Sequence, residues 1–579
     1  MANPAQIQMQ KITAQMRAGQ FTGAAKTATA AFKKFPREIG FANAAGSAHA
    51  QAGNFPQAVS FFNKALALAP GDAGTQDNLL RVLVQAGRAE KALELVDRLL
   101  KKRDETVPLM ILKANAEMAL ERFHDAIATT SQALESETKI SEIWALRGAA
   151  HDCVREDDAA IADFQQAFDL APSDPTPLVN MAEPLTRRHR TDDALAVLQQ
   201  ALQIRPSDLR ARRFLAIQLA QAGQGEAAKA EYHRLIEADP LDAQSFRALV
   251  LAQTAEENTK LKPALEAALK QLPQKSEGQA SLNFAMGNLL FQHKDYEGAA
   301  SALARANSLT AKTRPFNKKV AEAEFETLTR KLTSTNDRDP EVKSMPRPIF
   351  IIGQPRSGTT LCEMVLSAHP QVASCGEMEA ASRVLDPALS KGAFDPVTLA
   401  AAFQDDLPEA ALKVQAFVDK MPANYRYVDA LLKTFPDAVF VHLTRDPRDV
   451  ALSMWRNFFP NPWMNFTFDQ RAMAYQANLY RRYMTHWQDL YPDRILTLDY
   501  KDIVSDIEGA SREMAKFCGL DWIAEMAAPE KNTAMVRTAS VTQVRQGVHQ
   551  KSLGGWRRFE KALAPFCDAL DPALWPDLD

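Results

Sequence analysis

Phe350 to Met364 reads FIIGQPRSGTTLCEM: a short apolar run, a glycine-punctuated turn and the opening of a helix. Gly353 and Gly358 are spaced as in G-x-x-x-x-G, the frame of a nucleotide-binding phosphate loop. An ATPase loop continues with Lys and then Ser or Thr, whereas here Thr359 and Thr360 follow. Backbone N–H groups of such a turn, at the start of a helix, form a nest that favours an oxyanion by geometry and dipole. Arg356 adds a permanent cation with forked donors, and Ser357, Thr359 and Thr360 add hydroxyls. The stretch is therefore an anion cradle on a strand–turn–helix unit, and the missing lysine argues against an ATP-dependent kinase.

Two more apolar runs lie downstream, AVFVHL (Ala438 to Leu443) and RILTLDY (Arg494 to Tyr500). With IFII (Ile349 to Ile352) they alternate with helical patterns, the signature of a parallel α/β sheet. In open α/β sheets ligands gather at the carboxyl ends of strands. The second run leads into HLTRDPRDVALSMW, with Arg445 at the strand end and Ser453 inside the next helix, a pair suited to a second phosphate. Read alone, RDPRD is equally a solvated helix start with local ion pairs.

Upstream the pattern is different. Alanine recurs every 34 residues at Ala24, Ala58, Ala92, Ala126, Ala160, Ala194 and Ala228. Prolines keep the same step at Pro36 and Pro70, then at Pro172, Pro206 and Pro240. A second small-residue track runs through Ala31, Ala65, Ala133, Ala167 and Ala201. Small side chains let paired helices approach, and the proline ends one helix before the next pair begins. About two less regular units follow, around FQHKDYEGAASALARAN with Ala299. The period resembles the tetratricopeptide repeat, a stacked helix–turn–helix unit. An all-α repeat solenoid is expected over 1–312, a helix and linker over 313–346, and an α/β domain with a parallel sheet over 347–579. The array implies a surface for a peptide or protein ligand, or a scaffold that brings two copies together as a homodimer. His49, His124, His151 and His189 show no ligand spacing.

Totals add limits. At 579 residues the chain exceeds one core, and a net charge of −3 gives no sign of a general nucleic-acid binder. No run approaches the roughly 20 apolar residues of a membrane span, and the opening residues lack the apolar core of a secretion signal. Five scattered cysteines without a C-x-x-C pair indicate neither a disulfide framework nor a structural zinc site, so a cytoplasmic protein is expected.

PRSGTT followed by HP, GE, DKMP and VHLTRDPRDVALS, in this order, resembles sulfotransferases that use 3′-phosphoadenosine 5′-phosphosulfate (PAPS). The likeness is to the tyrosylprotein sulfotransferase branch, and to bacterial proteins joining tetratricopeptide repeats to such a domain. The resemblance implies a P-loop-like three-layer domain, PAPS as co-substrate and no metal. It implies that Arg356, Ser357, Gly358, Thr359 and Thr360 bind the 5′-phosphosulfate, while Arg445 and Ser453 hold the 3′-phosphate. Lys420, in DKMP, would stabilise charge on the bridging oxygen. Arg545 and Gly547, in QVRQGVHQKSLGGWRRF, would face the 3′-phosphate, with Ser552 and Trp556 to Arg558 nearby, and Tyr500 would line the site. CGEMEA offers Glu377 and Glu379 as the base; counted without a gap from the phosphate loop, Glu377 takes that branch's base position. Ala380 and Ala381 replace the basic residue that follows there, so a taste for acidic tyrosine peptides is not implied. The acceptor would be a hydroxyl of a protein tyrosine, a carbohydrate or a small metabolite. The competing reading is a non-enzymatic peptide-binding scaffold whose α/β domain senses a nucleotide.

Overall fold

The computed structural model describes residues 4–102, 106–335, 344, 346–532 and 553–578. The chain forms two compact units, Met1–Asp208 and Leu209–Asp579. In the first, consecutive helices pair: Pro4–Arg17 with Phe21–Lys34, Ile39–Gln51 with Phe55–Leu68, and so on to Thr176–Arg187 with Thr191–Ile204. The alanines in 34-residue register lie on the second helix of each pair, and those from Ala24 to Ala194 are at most 1% exposed. Any larger side chain there would push the paired helices apart. Helices end at Lys34, Leu68, Leu170 and Ile204, two residues before the periodic prolines. The cause is steric, since a proline disfavours helical backbone at the residue before it.

A third track of the same period marks where each first helix stops. Gly19, Gly53, Gly87, Glu121, Arg155 and His189 all adopt left-handed backbone, with φ between 58° and 74°. Glycine fills this conformation at least cost. Glu121, Arg155 and His189 hold it with a side chain attached. Neighbouring pairs are also tied by charge, as where Arg187 bridges Asp152 and Asp157 of the preceding pair.

The second unit continues with pairs Leu209–Gln221/Gly225–Ala238, Ala243–Ala252/Ala255–Gln271 and Glu277–Gln292/Tyr296–Thr313. The α/β domain follows. Its strands are β1 (Thr333–Ser334), β2 (Arg347–Gly353), β3 (Val372–Ser374), β4 (Ala393–Phe394), β5 (Ala416–Asp419), β6 (Val439–Thr444) and β7 (Ile495–Asp499). β1 and β4 form a small parallel pair. The main sheet is parallel throughout, in the order β3-β5-β2-β6-β7. The three runs expected from sequence are β2, β6 and β7, and the short β3 and β5 complete the sheet.

Ile349 to Ile352 are fully buried, as expected of a central strand covered on both faces. Phe350 and Ile352 enter one core, with Phe403, Phe417, Phe440 and Trp487. Ile349 and Ile351 enter the other, with Cys362, Val365, Val441 and Met514. The period-2 alternation of one strand thus builds both outer layers. The first core also contains Phe284, Ala299, Leu303 and Ala306 of the last helix pair. That shared core is why the compact division falls inside the repeat array. Since the chain passes from β2 to one side of the sheet and later to the other, the carboxyl end of β2 is the switch in strand order, the place where open α/β sheets gather ligands.

Candidate anion-binding site at the carboxyl ends of the strands

β2 ends at Gly353, where φ is 157° and a Cβ would stand 2.7 Å from the Leu443 carbonyl of β6. Gly358, with φ 110°, caps the helix Thr359–Leu366, and a Cβ there would collide with the ring of Tyr500. Between them Arg356 takes left-handed backbone, φ 73°. Non-glycine residues pay roughly 1–2 kcal/mol for this, so strain is concentrated at the turn that aims Arg356. Ser357, Thr359 and Thr360 are buried. The Ser357 hydroxyl oxygen is buried without a hydrogen-bond partner. A buried orphan donor beside a nest of N–H groups is what a cradle for an oxyanion leaves when considered by itself.

The second anion locus meets the first. Arg445, just after β6, donates from Nη1 to the Arg356 carbonyl at 3.2 Å, and its guanidinium lies 4.5 Å over the ring of Tyr500, which follows β7. Ser453, in helix Pro447–Trp455, accepts from Arg356 Nε at 3.0 Å. Burial, and then the charge of Arg445, pull the Arg356 pKa down to about 10. It remains a cation at neutral pH, in a place where an anion would be welcome. Within RDPRD, Arg448 pairs with Asp446, the local ion pair of the blander reading. Asp449 does something the sequence does not disclose. It accepts from Gly554 N at 2.7 Å and Trp556 N at 3.0 Å, and Arg448 lies 4.1 Å over the Trp556 ring. The C-terminal segment is thereby fastened beside the helix that carries Ser453. Arg545, Gly547 and Ser552 lie outside the described residues.

β3 and β5 supply the third group. Lys420 follows β5 and has no exposed side-chain surface; its Nζ is 2.6 Å from Glu377 Oε1 and 3.8 Å from Glu363 Oε2. The Glu377 side chain is 39% exposed, so this pair faces solvent on the carboxylate side. Glu379 instead opens the helix Ala380–Leu389, its carbonyl accepting from Arg383 N. Sequence reasoning passes over Glu363 and Asp419. Glu363 accepts from Ser374 Oγ at 2.7 Å, and burial raises its pKa. Asp419 accepts from Met378 N at 3.2 Å and Asn424 Nδ2 at 2.7 Å, and burial pushes its pKa up to about 8. A signal for Glu363 exists: it lies three residues after Thr360, on the same face of the loop helix. All five strands of the main sheet thus deliver site residues from their carboxyl ends. The arrangement gathers donors suited to anions on the loop after β2 and on the helix after β6, with the Lys420–Glu377 pair at the end of the same sheet.

Residues 348–524 match the sulfotransferase family. Residues 9–73, 49–109 and 185–251 match tetratricopeptide repeats. An uncharacterized protein of Aquifex aeolicus is 32% identical over 314 residues, covering 50% of this chain and 41% of that protein. Protein-tyrosine sulfotransferase 2 of Gallus gallus is 29% identical over 209 residues, covering 31% of this chain and 53% of its own. A thermophilic TPR protein of Thermus thermophilus, of solved structure, aligns with 24% identity and a TM-score of 0.29, covering 32% of this chain and 100% of its own. The chain spans about half the length of the first curated relatives it matches. A sulfotransferase-family domain here follows tetratricopeptide repeats, as the motif order implied.

Proposed function

We propose that this chain transfers a sulfuryl group from PAPS to a hydroxyl acceptor. The observation that carries the reading is the meeting of Arg445 and Ser453 with a phosphate loop that has Arg356 and no ATPase lysine. The buried, unpartnered Ser357 hydroxyl supports the fit. Arg356, Ser357, Gly358, Thr359 and Thr360 would hold the 5′-phosphosulfate. Arg445 and Ser453 would hold the 3′-phosphate, with Tyr500 backing Arg445. When bound, PAPS supplies the activated sulfuryl group.

The chain's own residues then have distinct tasks. Glu377 takes the acceptor's hydroxyl proton as the new sulfur–oxygen bond forms. Lys420 and Arg356 offer N–H donors to the negative charge that develops on the oxygen being released. Lys420 pairs with Glu377 in this structure, so its turn toward the leaving oxygen frees the carboxylate to act as a base. Glu363, 3.8 Å from the Lys420 ammonium, keeps an acceptor behind it through that turn. The repeats take the acceptor- or partner-binding role, and the acceptor is a protein tyrosine, a carbohydrate or a small metabolite.

Calorimetry with a metal chelator tests the cofactor assignment. Adenosine 3′,5′-bisphosphate should bind far more tightly than AMP or ATP, and equal affinity for AMP would remove the 3′-phosphate site. Transfer of labelled sulfate from PAPS to fractionated lysate separates an enzyme from a nucleotide-sensing scaffold, which would bind and transfer nothing.

A further inference from the structure

Asn288 and Asn307, on the two helices of the last repeat, are only 2% and 3% exposed. Each reaches the carboxyl end of helix Pro447–Trp455, the helix that carries Ser453. Asn307 Nδ2 donates to the Trp455 carbonyl at 2.9 Å and Asn288 Nδ2 to the Arg456 carbonyl at 2.8 Å. Carbonyls at a helix end have no intrahelical donor, so these two amides cap it. Asn288 also works in the other direction. Its Oδ1 accepts from Arg456 Nη2 at 2.9 Å and Nε at 3.2 Å, while the guanidinium lies 3.3 Å from the ring centroid of Phe291.

Arg456 is thus fixed by a neutral amide and an aromatic ring. Among the described residues no carboxylate pairs with it, so its charge is not consumed by its anchors. It follows Ser453 by three positions, which puts both on one face of the helix end, and Ser453 is the group that receives Arg356 Nε. Arg445 is stacked on Tyr500 after β7, whereas Arg456 is stacked on Phe291 of the repeat, so different elements hold the two guanidinium groups. Burial, followed by the charge of Arg356, lowers the Arg456 pKa to about 9.

We propose that Arg456 is a further anion-binding residue of this site, set in place by Asn288 and Phe291 of the last repeat, and that it serves the sulfonate end of the cofactor rather than its 3′-phosphate. The inference rests on the cofactor reading above. It makes the last repeat one wall of the site and not merely a neighbour of it.

The test is calorimetry of the full chain with two probes, PAPS and adenosine 3′,5′-bisphosphate, which lacks the sulfonate. Arg456→Ala should weaken PAPS about tenfold or more and the bisphosphate less than threefold. Asn288→Asp keeps an oxygen facing Arg456 but neutralises its charge, and should shift the ratio the same way. Asn307→Ala disturbs the same helix end without touching Arg456, and should leave the ratio alone. Equal losses for both probes, or an Asn307→Ala shift as large as that of Arg456→Ala, overturns the proposal. If Arg456→Ala fails to melt cooperatively, Asn288→Asp decides: an unchanged ratio overturns it. A wild-type chain that binds neither probe would instead sink the cofactor reading.

Discussion

Cutting the chain at its two natural-looking boundaries should give opposite results. Repeat regularity suggests removing residues 1–312; compactness suggests removing 1–208. The last helix pair contributes Phe284 and Leu303, both fully buried, to the core that also holds Phe350 and Trp487. Phe284 packs edge-on against Phe458 and Phe468, and Phe291 stacks on Phe559 at 5.8 Å. Removing that pair uncovers Phe468 and Phe559, which are 3% and 2% exposed. At about 1.5–3 kcal/mol for each large apolar side chain, this costs about 3–6 kcal/mol. Losing the two asparagine caps adds about 1 kcal/mol each. The sum, about 5–8 kcal/mol, rivals the whole stability of an ordinary domain, about 5–15 kcal/mol. A fragment of residues 209–579 should therefore melt cooperatively and bind adenosine 3′,5′-bisphosphate like the full chain. A fragment of residues 313–579 should be unfolded, or melt at least about 10 °C lower. Circular dichroism melts with calorimetry at 25 °C read both. If the shorter fragment melts within about 5 °C of the longer and binds equally well, the shared core is not a stabilising one.

Four further outcomes are expected. Arg445→Ala should weaken adenosine 3′,5′-bisphosphate ten- to a hundredfold in calorimetry, because a charge-assisted hydrogen bond is worth about 1.5–3 kcal/mol, and should leave AMP binding nearly unchanged. Glu377→Gln should lower kcat in a labelled-sulfate assay while the bisphosphate Kd stays within threefold; unchanged kcat would exclude it as the base. Asp419 has its folded-state pKa raised to about 8, so the folded form keeps a proton that the unfolded chain loses near pH 4, and stability from this group falls as pH rises from about 4 to 8. The Tm of Asp419→Asn relative to wild type should accordingly climb across that window, and a flat difference would contradict the burial argument. Glu121→Gly should stabilise the repeats by about 1 kcal/mol in chemical denaturation, since it relieves left-handed backbone.

The features legible in the sequence are those whose determinants are local. The phosphate loop needs two glycines, a cation and three hydroxyls within eight residues, and each is needed for backbone or ligand geometry rather than for distant packing. The alanine and proline tracks are legible because one packing requirement repeats at a fixed step. The left-handed track escapes because Glu121, Arg155 and His189 break its glycine pattern. β5 escapes for a different reason: it spans four residues and ends in an acidic residue, Asp419, which resembles a loop until burial shows it to be central. Asn288 and Asn307 are out of reach altogether. A polar residue on a repeat helix usually faces water, and their partners lie 168 and 148 residues away.

The choice between Glu377 and Glu379 shows how a few backbone bonds decide what spacing leaves open. The turn after β3 is clasped to the end of β5 at successive residues. The Gly376 carbonyl accepts from Lys420 N at 2.8 Å, and Met378 N donates to Asp419 Oδ1 at 3.2 Å. Gly376 takes left-handed backbone, φ 68°, to make that clasp. Held on both sides, Glu377 has its carboxylate directed at Lys420 Nζ, whereas the chain at Glu379 has already turned into a helix. The proposed base is therefore placed by the same contacts that bury Lys420. A base fixed in this way cannot be exchanged for a glutamate two residues on, because that carboxylate starts outside the turn and off the lysine. Glu379, still present in Glu377→Gln, should accordingly not restore kcat at higher pH. Its own replacement by Gln should leave kcat close to wild type in the labelled-sulfate assay, and a loss matching that of Glu377→Gln would show that the clasp does not select the base.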